Sequence, residues 1–187
     1  MKKDVKTVPA IFPMPVLMIA TYNEDGSVDV MNAAWGVAFD TNQIQLNISD
    51  THKTAQNIKR TGAFTVSLAD AEHVVESDYL GMASANRVKD KFERTGLTAV
   101  PSEKVNAPII TDYPVCMECK ALPWSGDYGV LGEIVNLSVE ENCLDETGNV
   151  DVTKLNAIMY DTFRHGYYTV GKKVGQAFSD GKKLIKR

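Results

Sequence analysis

The chain has 187 residues, 44% apolar and 24% charged, with a formal net charge of −4, a balance that excludes a disordered chain. The acidic balance offers no electrostatic footprint for nucleic acid, so no such partner is expected. The length predicts one domain over residues 1–187, with its core at about 10–178 and a frayed basic tail carrying Lys182, Lys183, Lys186 and Arg187.

Met1-Lys2-Lys3-Asp4 starts with two lysines but lacks the apolar stretch of a signal peptide. The run Val16–Ala20 is far shorter than the about 20 residues that span a bilayer, so neither export nor a membrane partner is expected. Pro15–Tyr22 is a mostly apolar run, which suits a strand buried on both faces. It ends in Asn23-Glu24-Asp25-Gly26-Ser27, a hairpin signal. Val28–Phe39 is predicted to return antiparallel to it as one strand, and Ile44–Ile48 alternates apolar and polar residues as a third. A helix follows, with Thr54 as its N-cap, Ala55 and Ile58 on one side, and Gly62 as a left-handed terminus.

Ala63–Leu68 is another strand. A second helix is predicted from Asp70, with Val75, Tyr79 and Met82 as its apolar stripe, before loop-rich chain over Asn86–Pro108. Strands are expected at Val115–Leu122 and, after a Trp-Ser-Gly-Asp turn, at Tyr128–Val139. Asn142–Val152 has the composition of a hairpin tip, Val152–Met159 of a short helix, and an aromatic stretch runs over Tyr160–Phe178. Six or seven strands, the first three without helices between them, predict a mainly β antiparallel barrel with peripheral helices rather than a parallel α/β sheet.

Several familiar devices are missing. Neither GxGxxG nor GxxxxGK[ST] occurs, and no G-x-S-x-G elbow is present. Cys116-Met117-Glu118-Cys119 lies in a strand-like run, where period-2 geometry sends the two sulfurs to opposite faces. Structural cysteines, a redox pair and a metal site are the readings in that order. Three cysteines in all, with nothing calling for a disulfide framework, point to a reducing cytoplasm. His52, His73 and His165 are too far apart in sequence for ligand spacing, and His73 reads as a surface or capping residue.

Two stretches carry chemistry. Ser49-Asp50-Thr51-His52-Lys53-Thr54 lies between a strand end and a helix start, where unpaired backbone N–H groups and partial positive charge accept phosphate. The same residues also make an ordinary capped surface helix. Met31-Asn32-Ala33-Ala34-Trp35 puts two small residues together on a strand, which lets a flat ring approach the backbone. A close-packed strand crossing with a core tryptophan is the other reading.

The order of these motifs resembles the flavin reductase-like family, and its flavoredoxin members in particular. The resemblance is carried by Pro15-Val16-Leu17, Asp25-Gly26, Met31–Trp35, Lys53-Thr54-x-x-Asn57-Ile58, Thr61-Gly62-x-Phe64, Asp90-Lys91-Phe92, Gly96-Leu97-Thr98, Ala107-Pro108, Glu118-Cys119-Lys120 and Tyr168-x-x-Gly171-x-x-x-Gly175. Each is weak singly, and their colinear order over about 10–178 makes the likeness strong. It implies an FMN-binding split barrel, a homodimer with flavin sites near the subunit interface, and oxidoreductase chemistry at the flavin. Hydride or electrons would pass through flavin N5, from NADH, NADPH or a redox protein to a small acceptor; the alternative is an FMN-bound electron carrier without NAD(P)H turnover.

By the same resemblance, Asn32, Ala33, Ala34 and Trp35 line the isoalloxazine, while Asn47, Ile48 and Ser49 flank its pyrimidine side and the ribityl chain. His52, Lys53 and Thr54 hold the phosphate, with Lys91 a further candidate, and no side chain is needed as a catalytic acid or base. Asp29 departs from the asparagine that many relatives carry, a change expected to disturb a turn or a peripheral polar contact.

Overall fold

The computed structural model describes residues 1–123 and 129–185. Its centre is a seven-stranded antiparallel sheet. The strands are β2 (Leu17–Tyr22), β3 (Val28–Ala33), β4 (Gly36–Asp40), β5 (Gln43–Leu46), β6 (Ala63–Leu68), β9 (Val115–Ala121) and β10 (Val130–Val139). They lie in the order β3-β2-β6-β9-β10-β5-β4. Strands β3 and β4 therefore occupy opposite edges, although only Ala34 and Trp35 separate them in the chain. Three peptide steps reach at most about 11 Å, so the sheet must curl until its edges face each other. The result is a barrel split along one seam.

Two apolar clusters lie on the two faces of this sheet. Leu17, Ile19, Leu46, Phe64, Val66, Cys119 and Val130 fill the inside, and Ile58 of α1 (Lys53–Thr61) packs among them. Met18, Ala20 and Val30 face the outside, against Leu80 of α2 (Val74–Met82), Phe92, Ile110 and Tyr113. Strand β2 thus feeds both clusters in alternation, the two-sided burial its apolar run predicted. Short strands complete the chain: β1 (Met14–Pro15), β11 (Ile158–Tyr160) and β12 (Tyr167–Thr169) form one small sheet, and β7 (Ala99–Pro101) pairs with β8 (Pro108–Ile110). A last short helix, α3 (Lys182–Ile185), carries the exposed basic tail.

The structure departs from the sequence reading at identifiable points. Val28–Phe39 is not one strand: the chain leaves the sheet at Ala34-Trp35 and re-enters it at the far edge. The first helix begins at Lys53 with His52 at its N-cap, so Thr54 is not the cap and lies in the first turn; Gly62 does end the helix, at φ 68°. The second helix starts at Val74, because Asp70 forms the preceding turn: its Oδ1 accepts from the backbone N–H of Glu72 at 3.0 Å and of His73 at 2.9 Å. Asp70→Ala is expected to cost about 1–2 kcal/mol, read as a lower urea midpoint with unchanged slope.

The stripe expected on the second helix is out of phase. Val75 and Met82 are exposed, and Ser77 and Leu80 are buried instead. Val152–Met159 is not helical: Asp151 Oδ1 accepts from the backbone N–H of Thr153 at 2.9 Å, and β11 then pairs with β1. A turn over 152 to 154 and strand pairing at Ile158–Tyr160 override the local helical pattern. The Trp-Ser-Gly-Asp turn and Tyr128 lie outside the described residues, as do Lys186 and Arg187.

Candidate functional site

The seam of the barrel is where the chain leaves polar backbone uncovered. Among the described residues strand β3 pairs only with β2, so its other edge carries N–H and C=O groups without strand partners there. Along this edge runs a cleft of 360 Å³ lined by Met31, Asn32, Ala33, Ala34 and Trp35 on one side and Asn47, Ile48 and His52 on the other. Ala33 and Ala34 keep the approach to the backbone free of side-chain bulk. Asn47 continues the β4–β5 pairing onto the link, its N–H donating to the Trp35 carbonyl at 2.8 Å.

Helix α2 makes the third wall with Asp78, Gly81 and Met82. Asn32 Nδ2 donates to the Ser77 carbonyl at 2.9 Å and holds this helix against β3. Gly81 permits that approach, since a Cβ there would meet the Asn32 Cβ at 3.2 Å. Tyr160 and Tyr167 close the outer side. The Tyr167 hydroxyl donates to Asp78 Oδ1 at 2.8 Å. Burial, then this carboxylate, pushes the phenol up to about 12, so it stays a proton donor at neutral pH.

A smaller cleft of 180 Å³ continues from the first, sharing Met31, Asn32, His52, Gly81 and Met82 with it. Lys53 and Thr54 at the start of α1, and Lys91, belong to its lining. The amides of the first helical turn have no acceptor within the helix, and no acidic side chain occupies that turn. The combination suits a compact anion.

Below this cleft lies a buried polar group. Thr54 Oγ1 donates to Asp29 Oδ2 at 2.6 Å, and Lys91 Nζ stands 3.4 Å from Asp29 Oδ1. Asp29 is thus neither in a turn nor peripheral. It lies opposite Thr21 in the β2–β3 register, facing the barrel interior beneath α1. Burial holds the Lys91 ammonium below the usual lysine range, and Asp29 opposes that shift.

Of the residues singled out from sequence, Asn32, Ala33, Ala34, Trp35, Asn47, Ile48 and His52 meet in the larger cleft, and His52, Lys53, Thr54 and Lys91 in the smaller. Ser49 lines neither; its hydroxyl is paired with that of Thr51 at 2.9 Å on the surface. The Thr54 hydroxyl proton is committed to Asp29, which leaves its backbone N–H for a ligand. Asp78, Gly81, Met82, Tyr160 and Tyr167 were not foreseen. The signal for the helix was its Ser77–Gly81 face, small enough for a strand to approach. The two tyrosines stood in an aromatic stretch with no motif to assign them.

Cys116 and Cys119 are both buried and free, and burial pushes their thiols up to about 11 and about 12, away from the reactive thiolate form.

Residues 10–166 match the family model described as flavin reductase like domain. The structure is similar to flavoredoxin of Desulfovibrio vulgaris (Miyazaki F), with a TM-score of 0.92 and 32% identity over 97% of this chain and 100% of that one. It is similar to flavoredoxin from Methanosarcina acetivorans with a TM-score of 0.83 and 25% identity, over 98% and 100% of the two chains. An FMN-binding domain of a flavin reductases-like enzyme from Shewanella baltica OS155 shares the fold, with a TM-score of 0.77 and 16% identity over 87% and 88%. The mainly β architecture is thus the split barrel of FMN-binding proteins.

Proposed function

Since the chain belongs to the flavin reductase-like family, we propose that it is an FMN-binding oxidoreductase that passes hydride or electrons from NADH, NADPH or a redox protein to a small acceptor. The observation that carries this reading is the pair of joined clefts, one 360 Å³ and walled by small residues, the other 180 Å³ and opened by Lys53 at a helix start. A flat heteroaromatic ring with a phosphate tail has that division into parts. Bound FMN would supply the redox chemistry itself.

The chain's own residues bind and orient. Ala33 and Ala34 admit the ring to the β3 edge, whose N–H and C=O groups read its polar rim, with Asn32, Asn47 and Ile48 beside it. Trp35 stands at the mouth, 48% exposed. His52, Lys53 and the Thr54 amide take the phosphate. Tyr167, held by Asp78, offers a hydroxyl to the outer side.

A homodimer is supported by the apolar surface beside the seam. Ile11, Phe12, Trp35, Val37 and Phe39 are all 48% exposed or more, a concentration that marks an interaction face.

The test is the absorbance spectrum of the purified protein, its size in solution, and anaerobic titration with NADH and NADPH. Yellow dimeric protein bleached by either nucleotide is the expected result. Yellow protein that neither nucleotide bleaches leaves the electron carrier in place of the reductase. Colourless protein that takes up no FMN overturns both.

A further inference from the structure

Asp29 and Lys91 stand in different relations to the smaller cleft. Lys91 is 3% exposed yet reaches the lining, where its ammonium touches the carbonyls of Ala83 at 3.2 Å and Leu80 at 3.4 Å. Asp29 is 1% exposed and lies behind it. One carboxylate oxygen takes the Thr54 hydroxyl, while Oδ1 has no hydrogen bond and faces Lys91 Nζ at 3.4 Å. The cation at the cleft therefore has its charge cancelled from beneath, and its protons are already directed to acceptors of the chain. An anion entering the cleft meets Lys53 at full strength and Lys91 only as half of a neutral pair.

Resting on the FMN reading above, we infer that Asp29 is a positioning residue that sets how strongly this cleft captures phosphate. It holds the first turn of α1 through Thr54 and withholds the Lys91 charge from the ligand. A buried pair of this kind is costly to break from one side, since the remaining charge is left uncompensated. That uncompensated charge is what the ligand would feel.

The experiment uses the full chain stripped of flavin and titrated with FMN and with riboflavin. The readout is the ratio of the two dissociation constants, which a defect in the shared ring site leaves unchanged and a loosened first turn of α1 lowers, opposite in sign to removing the Asp29 charge. Asp29→Asn keeps an acceptor for Thr54 and removes the negative charge, and is expected to raise the preference for FMN about tenfold. Lys91→Gln exposes the phosphate to Asp29 and is expected to lower that preference by about the same factor. The double variant, again without net charge, is expected to return to within about threefold of the native ratio.

A flat ratio in Asp29→Asn overturns the inference, as does a double variant that tracks either single one. Should Asp29→Asn fail to fold, a flat ratio in Lys91→Gln overturns it equally. Native protein that binds no FMN overturns the proposed function and this inference together, whereas FMN binding with flat ratios overturns this inference alone.

Discussion

Lys53→Ala is expected to weaken FMN binding by about ten- to a hundredfold and riboflavin binding by less than about threefold. Lys53 is the first residue of α1 and half-buried in the smaller cleft. Its side chain adds a mobile positive charge to amides whose dipoles already point at the same spot. A charge-assisted hydrogen bond to phosphate contributes about 1.5–3 kcal/mol, which sets the range. Riboflavin has the same ring and ribityl chain but nothing for Lys53 to hold. Lys59→Ala is the control on the same helix: Lys59 is exposed, pairs with Asp50 at 2.7 Å, and should change neither constant. Equal losses for FMN and riboflavin in Lys53→Ala would remove the phosphate from this end of the site.

Phe64→Ala is expected to destabilise the protein by about 3–5 kcal/mol, the range for truncating a buried aromatic. Phe64 is fully buried on β6, a strand flanked by β2 and β9 well inside the sheet, and packs with Leu46, Ile58 and Val130 in the barrel interior. Its ring rests over Gly132, where a Cβ would overlap it. A cavity at this point has rigid strands around it and collapses poorly, which places the cost toward the upper end. Gly132→Ala approaches the same contact from the other side by overpacking, at about 1–3 kcal/mol. Denaturant midpoints of the two variants read both effects. A loss below about 1 kcal/mol in Phe64→Ala would mean that the interior repacks and is not the close-packed barrel described.

Lys53 and Phe64 differ in how much of their surroundings local sequence reveals. Lys53 stands in a local pattern, a strand end followed by a polar turn and an amphipathic helix, and such a pattern is visible along the chain. Phe64 is legible only as apolar and strand-borne; that it lies over Gly132 depends on β6 and β10 both flanking β9. The Asp29 expectation failed for the same reason. Along the chain it follows a hairpin turn by a few residues, and nothing local reveals that Thr54 and Lys91, 25 and 62 positions away, converge on it.

By itself, then, the sequence determined what nearest neighbours determine: strands by their period, the Gly62 stop, the helix start after the Ser49–His52 turn, and two small residues before Trp35. The tertiary structure decided where Ala34-Trp35 lies, because a two-residue link between opposite sheet edges is a constraint that exists only once all seven strands are ordered. That link makes the seam, and the seam makes the cleft. It also decided which walls face it: α2 turned its small face to β3 against its own apolar spacing, and Tyr160 and Tyr167 arrived from the far end of the chain by pairing with each other and β1. Local spacing fixes the direction of a side chain relative to its own element, and long-range pairing fixes what that direction meets.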